Sequence, residues 1–119
     1  MTRQEALTRV LRDVASDIAD YGRLRDALEH QFQAALRHDS ARLTDITQEI
    51  TDLVDLLEQR RLMRVQLTQA LTKEAQPRSI DGVLAQLHGA QREALATDWA
   101  TLEELVRGCK ALNSRNCDL

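Results

Sequence analysis

Proline is nearly absent from this chain of 119 residues: Pro77 is the only one, and glycine occurs at just four positions, Gly22, Gly82, Gly89 and Gly108. Sheet proteins need turn residues at every hairpin and favour β-branched and aromatic side chains. Aromatics make up only 3%, as Tyr21, Phe32 and Trp99, while Leu, Ala, Arg, Glu and Gln dominate. All-β and α/β architectures are therefore set aside in favour of long helices. Long apolar runs are missing too. None exceeds three residues, as in Ala34 to Leu36, against the ~20 that span a bilayer. The amino terminus, Met1 to Glu5, lacks the apolar stretch of a signal peptide. There is no basic excess: the formal charge is −3 and the pI near 5.6, which argues against nucleic acid as the main partner. The two cysteines, Cys109 and Cys117, would stand ~12 Å apart on one helix, too far for a disulfide, which fits reduced thiols in a cytoplasm.

Signatures of chemistry are equally scarce. The chain has no Gly-rich phosphate loop, no His-Glu-x-x-His and no Cys-x-x-Cys. His30, His38 and His88 have no partner one turn away and read as solvated surface, and no helix pairs Glu with a His three residues on, as a helical metalloenzyme would require. The expectation is a protein that is not an enzyme and holds no cofactor or metal. With 29% charged and 43% apolar residues, the whole of 1–119 is expected to fold as one domain.

What the chain does have is periodicity. Leu7, Leu11, Val14, Ile18, Tyr21, Leu28, Phe32 and Ala35 recur at alternating spacings of four and three, broken only at Arg25. That 3.5-residue period marks a coiled-coil seam, with Val10, Leu24 and Leu36 widening it so that the helix meets two neighbours. The seam places a first helix at about 4–37. Asp39 or Ser40 is the expected N-cap of a second, at about 41–75. Its seam reads Leu43, Ile46, Ile50, Leu53, Leu57, Arg60, Arg64, Leu67 and Leu71. So short a connection makes the two helices antiparallel. Pro77 is expected to end the second helix near Glu74 to Gln76. An irregular or short helical segment is expected at about 77–90, with Gly82 weakening it and His88-Gly89 as a loop. A third long helix follows at about 91–117. It carries Leu95, Leu102, Leu105, Cys109, Leu112 and Leu119, with Trp99, Val106 and Asn113 beside the seam and Asp98 and Asn116 as polar breaks. The expected fold is all-α: an antiparallel three-helix bundle or coiled coil of long helices, with a short broken segment between helices two and three.

Two charge patterns matter. Asp13, Asp17 and Asp20 fall at i, i+4 and i+7 and read as a solvated face, partly offset by Arg9 and Arg12. Arg60 and Arg64 fall on the seam itself, where a charge costs stability unless its stem snorkels or it finds an acidic partner. Either the fold accommodates them, because the core is thinner there or the break faces the 78–88 segment, or they dock an acidic partner. Asn113 and Asn116, with Trp99 a few turns earlier, either fix register or line a groove for a partner.

The stretch from Trp99 through Leu102, Leu105, Val106 and Cys109 to Leu112-Asn113-Ser114-Arg115-Asn116 resembles the signature of the FlgN family of flagellar export chaperones: a Trp opening the last long helix, spaced apolar residues, then Leu-Asn-x-x-Asn. Leu36-Arg37-His38-Asp39-Ser40 running into Leu43 and Ile46 resembles that family's short turn and Leu-x-x-Ile pattern, and Leu57-Glu58-Gln59-Arg60-Arg61 its run at the close of the apolar stretch. The resemblance covers about residues 4–119, departing at Cys117, where the family usually has Gly. Members usually continue for some tens of residues, so the chain is expected to be a trimmed or unusually short member. The resemblance implies a bacterial cytoplasmic chaperone that binds hook-associated proteins of the hook–filament junction, prevents their premature assembly and delivers them to the flagellar type III export apparatus, with the export gate as a further contact. It implies no nucleic acid partner, no membrane insertion and no cofactor. The expected partner-binding residues are Trp99, Leu102, Val106, Cys109, Leu112, Asn113 and Asn116. A self-associating coiled-coil scaffold or tether obeys the same heptads and is the alternative.

Overall fold

A computed structural model describes residues 1–73 and 80–119. Helix α1 runs Arg3–Leu36, α2 Ser40–Thr72, α3 Asp81–Leu84 and α4 Gly89–Cys117, and no strand occurs among the described residues. At 1.5 Å per residue α1 is ~51 Å long, which is the 51 Å long axis of the molecule.

The helix ends explain these boundaries. Thr2 caps α1, its hydroxyl accepting from the Glu5 N–H at 3.1 Å, and Glu5 itself sits where the helix dipole favours a carboxylate. At the other end His38 turns left-handed at φ 55. The His38 N–H then donates to Ala35 and the Asp39 N–H to Ala34, the pair of bonds that closes a Schellman turn. Asp39 serves both helices, because its carboxylate also accepts from the Arg42 N–H at 3.0 Å and starts α2. Three residues, Arg37 to Asp39, thus reverse the chain. Helix α2 ends at Thr72, with Lys73 left-handed at φ 59. The stop expected from Pro77 lies outside the described residues. Gly89 supplies φ +57 where α4 begins, so the expected loop at His88-Gly89 is the first step of the helix.

α1 is the shared partner: α2 packs along one of its sides and α4 along another. The α1–α4 pair is parallel and in heptad register. Cys109 meets Tyr21 and Asn116 meets Leu28, both at a sequence separation of 88. The α1–α2 pair is antiparallel, with Asp17 against Arg60 and Arg64 and Gln31 against Thr47.

Short α3 closes one end of the molecule. Ile80, Val83 and Leu87 are buried with Leu7, Val10, Leu71 and Leu95. The Gln86 amide donates to the Leu71 carbonyl at 2.7 Å, satisfying one of the free carbonyls at the end of α2. Gly82 lets the segment approach α2 closely: a Cβ at this position would stand 2.6 Å from Thr72 Cγ2, and that side chain would have to shift.

Candidate functional site: an ionic belt and an open cleft

α1 carries two seams, not one. Besides the Leu7–Val14–Tyr21–Leu28 row against α4, the row Ala6, Val10, Asp13, Asp17, Asp20, Leu24, Ala27 and Ala34 is buried. This second row steps by four and three as far as Ala27 and resumes seven residues on at Ala34, and its apolar members pack against Leu71, Leu53, Leu57 and Ile46 of α2. The three aspartates therefore stand inside a seam, and the expectation of a solvated face is corrected. Asp17, 1% exposed, accepts from Arg60 Nη1 at 2.8 Å and from Arg64 Nη1 at 2.6 Å. Asp20 pairs with Arg60 Nη2 at 2.9 Å and more loosely with Arg23. Asp13 holds Arg9 at 3.0 Å through one oxygen, while its other oxygen has no partner among the described residues.

This belt answers the question that Arg60 and Arg64 raised: they find acidic partners within the chain. Burial alone would lower the Arg60 pKa, but its hydrogen bonds to Asp17 and Asp20 outweigh that and hold it above the usual arginine value. The signal was present in the sequence, since the aspartates keep the 3.5-residue phase of the flanking Val10 and Leu24.

Beyond the belt, α2 and α4 diverge. Where they meet, Arg64 lies 5.8 Å over the Trp99 ring, a cation–π contact, and Leu67 and Leu71 join Leu95 in one cluster. Towards the hairpin turn the gap opens into a cleft. Its floor is Tyr21, Leu24 and Leu28 of α1. Ile50 and Val54 form one wall, and Val106, Cys109, Lys110 and Asn113 the other, around a cavity of about 210 Å³. A second hollow of about 310 Å³ shares Tyr21, Leu24 and Val54 and ends at Glu58, Arg61 and Arg64. Val54 is 46% exposed in this setting. Desolvation, and then the Asp17 charge, push the Tyr21 phenol above its ordinary pKa, so it presents a neutral hydroxyl.

The expected partner-binding residues divide by direction. Leu102 and Cys109, each 4% exposed, face α1, and the Cys109 thiol reaches the Tyr21 carbonyl at 3.6 Å. Burial raises its pKa, which makes it a poor nucleophile. Leu112 is half-buried against the Leu24–Leu57 cluster. Asn116 donates to the Leu28 carbonyl and to Gln31 Oε1, both at 2.8 Å. Beside it Arg115 pairs with Glu29 and stacks 3.7 Å from the Phe32 ring. Trp99 and Val106 are half-buried and Asn113 is exposed, with Val106 and Asn113 on the cleft wall. Ile50 and Val54 complete that cleft from α2 and were not among the expected residues.

A family model, described as FlgN protein, matches residues 1–119. The chain belongs to the FlgN family. That family is one of flagellar export chaperones, which are not enzymes. No match to this FlgN-family chain was found among curated proteins or among solved structures. Among the described residues no helix is long and apolar enough to cross a membrane, and no group of three His, Cys, Asp or Glu side chains is placed to hold a metal ion.

Proposed function

We propose that this FlgN-family chain is a cytoplasmic export chaperone that captures hook-associated proteins of the hook–filament junction in the cleft between α2 and α4. Capture prevents their premature assembly, and the complex is delivered to the flagellar type III export apparatus. One observation carries the reading: an apolar floor of Tyr21, Leu24 and Leu28 left open between two helices, with Val54 46% exposed on its wall. A client segment with an apolar stripe at 3.5-residue spacing would associate with itself if left free, and a groove of this kind covers it. Ordering that segment costs entropy, so binding is moderate and release remains available.

Of the α4 set, Val106 and Asn113 on the cleft wall and Trp99 beyond it are the members that meet a client. Leu102, Cys109, Leu112 and Asn116 act by holding α4 on α1. The test is calorimetric titration of the chain with the carboxyl-terminal segments of hook-junction proteins from the same organism. Micromolar binding with a negative heat-capacity change is expected. Val54→Asp combined with Val106→Asp should weaken it at least about tenfold with the helical signal unchanged. Absence of binding to every junction segment would overturn the reading.

A further inference from the structure

One flank of α2, outside the cleft, carries a stripe whose leading half borders a hollow of about 380 Å³ beside Arg23 of α1. Asp45, Glu49, Asp52, Leu56, Gln59 and Met63 step by four and three, and all six are exposed. The same spacing continues through Gln66 and Ala70, also exposed. The stripe changes character halfway: three carboxylates lead it, and from Leu56 to Ala70 it holds no charge. Leu56 is 42% exposed, Met63 49%, and the adjoining Leu62 51%. Isolated exposed apolar residues are ordinary on a protein surface. Two on a four-three stripe, Leu56 and Met63, with Leu62 flanking them, are the pattern of an unpaired helix interface.

We infer that this face pairs with α2 of a second copy of the chain, antiparallel, about a two-fold axis passing near Gln59. In that register Leu56 of each copy meets Met63 of the other, and the two Leu62 side chains flank the axis. Asp52 stands opposite Gln66, whose amide can donate to it, and Asp45 stands opposite Lys73. Parallel pairing would instead set Asp45, Glu49 and Asp52 against their own copies, three like-charge contacts in a row. The charge pattern therefore selects the antiparallel alignment, and the contact is self-complementary as a closed dimer requires. A single helix pair lies at the low end of specific interfaces, below about 1,200 Å², so the dimer is weak and exchanges with monomer. Because the stripe lies away from the cleft, pairing leaves the client site open. The inference goes beyond the chaperone reading and does not depend on it.

Sedimentation velocity of the full chain from about 1 µM to 1 mM should show a monomer–dimer equilibrium half-associated at roughly 10–100 µM. Leu56→Glu with Met63→Glu, both at exposed positions, should move that midpoint up at least about tenfold with unchanged circular dichroism. In a Cys117→Ser background, Gln59→Cys should form a disulfide-linked dimer under mild oxidation while Asp45→Cys stays monomeric. A chain that is monomeric up to 1 mM, a dimer indifferent to the double substitution, or Asp45→Cys linking as readily as Gln59→Cys would each overturn the inference. If the face instead serves a helix of another protein with a basic leading half, the first of these outcomes is what would be seen.

Discussion

The two seams of α1 bury side chains to similar depth by opposite means. Towards α4 the contact is apolar through Leu7, Val14 and Leu102 and turns polar only at its far end, where Asn116 and Arg115 bind the Leu28 carbonyl and Glu29. Towards α2 it is apolar at both ends and ionic in the middle, with Asp17 enclosed between Arg60 and Arg64. An apolar heptad looks the same after a shift of seven residues. A charged layer does not, because a slipped or self-paired seam would leave carboxylates or guanidiniums buried without partners. The α2 seam therefore specifies its mate, and the α4 seam mainly contributes cohesion. The cleft opens on the side where these two kinds of seam diverge.

The largest effect should come from splitting the belt. Asp17→Ala leaves two half-buried guanidiniums without their shared carboxylate, Arg60 keeping only Asp20, and should cost about 3 kcal/mol in urea unfolding. Replacing the paired groups together, Asp17→Leu and Asp20→Leu with Arg60→Leu and Arg64→Leu, should recover most of that loss, because an apolar layer of similar volume is often no less stable. If the quadruple variant were as unstable as the single one, the belt would be contributing cohesion after all. On the other seam, Leu102→Ala should cost about 2–4 kcal/mol, and no partner substitution on α1 of unchanged total charge should rescue it. A smaller effect lies at the turn that aligns the α2 seam. His38→Gly relieves a left-handed side-chain conformation and should stabilise the chain by about 0.5–1 kcal/mol, read as a rise in the urea midpoint.

The smallest effect concerns Tyr21 and Cys109, on the cleft's floor and wall between the two seams. Burial raises both pKa values above their ordinary 10.0 and 9.0, so the folded state favours the protonated forms. Their contribution is complete below those ordinary values and is lost as pH rises through the raised ones. Stability should hold to about pH 9 and fall beyond it, and Tyr21→Phe should flatten the later part of that fall.

Much of this was legible in the sequence, and the remainder was hidden for definable reasons. The 3.5-residue stripes of all three long helices and the tight turn at Asp39 are visible because apolar residues and caps recur at fixed spacings. Half of the belt was visible as well, since Arg60 and Arg64 interrupt an apolar row. Its other half was missed, because three aspartates at that spacing on α1 look like an ordinary solvated face unless their shared phase with Val10 and Leu24 is followed. On α4, the pattern alone cannot say which flank of the stripe α1 covers. Leu102, Cys109 and Asn116 turn inward, while Val106 and Asn113 are left on the cleft. The role of Ile50 and Val54 was obscured similarly, because exposure on α2 depends on how far α4 stands away, a distance that no heptad encodes. Gly82 looked like a weakness in a short helix until the approach of Thr72 gave it a purpose.

Hydrogen exchange on the full chain, free and saturated with a hook-junction client segment, tests the central claim most directly. Capture in the cleft predicts slowed exchange concentrated at Tyr21 to Leu28, Ile50 to Val54 and Val106 to Asn113, with α2 from Gln66 to Ala70 unchanged. Protection confined to α3 and the closed end of the molecule, or spread over the outer side of α2 with the cleft unaffected, would contradict it.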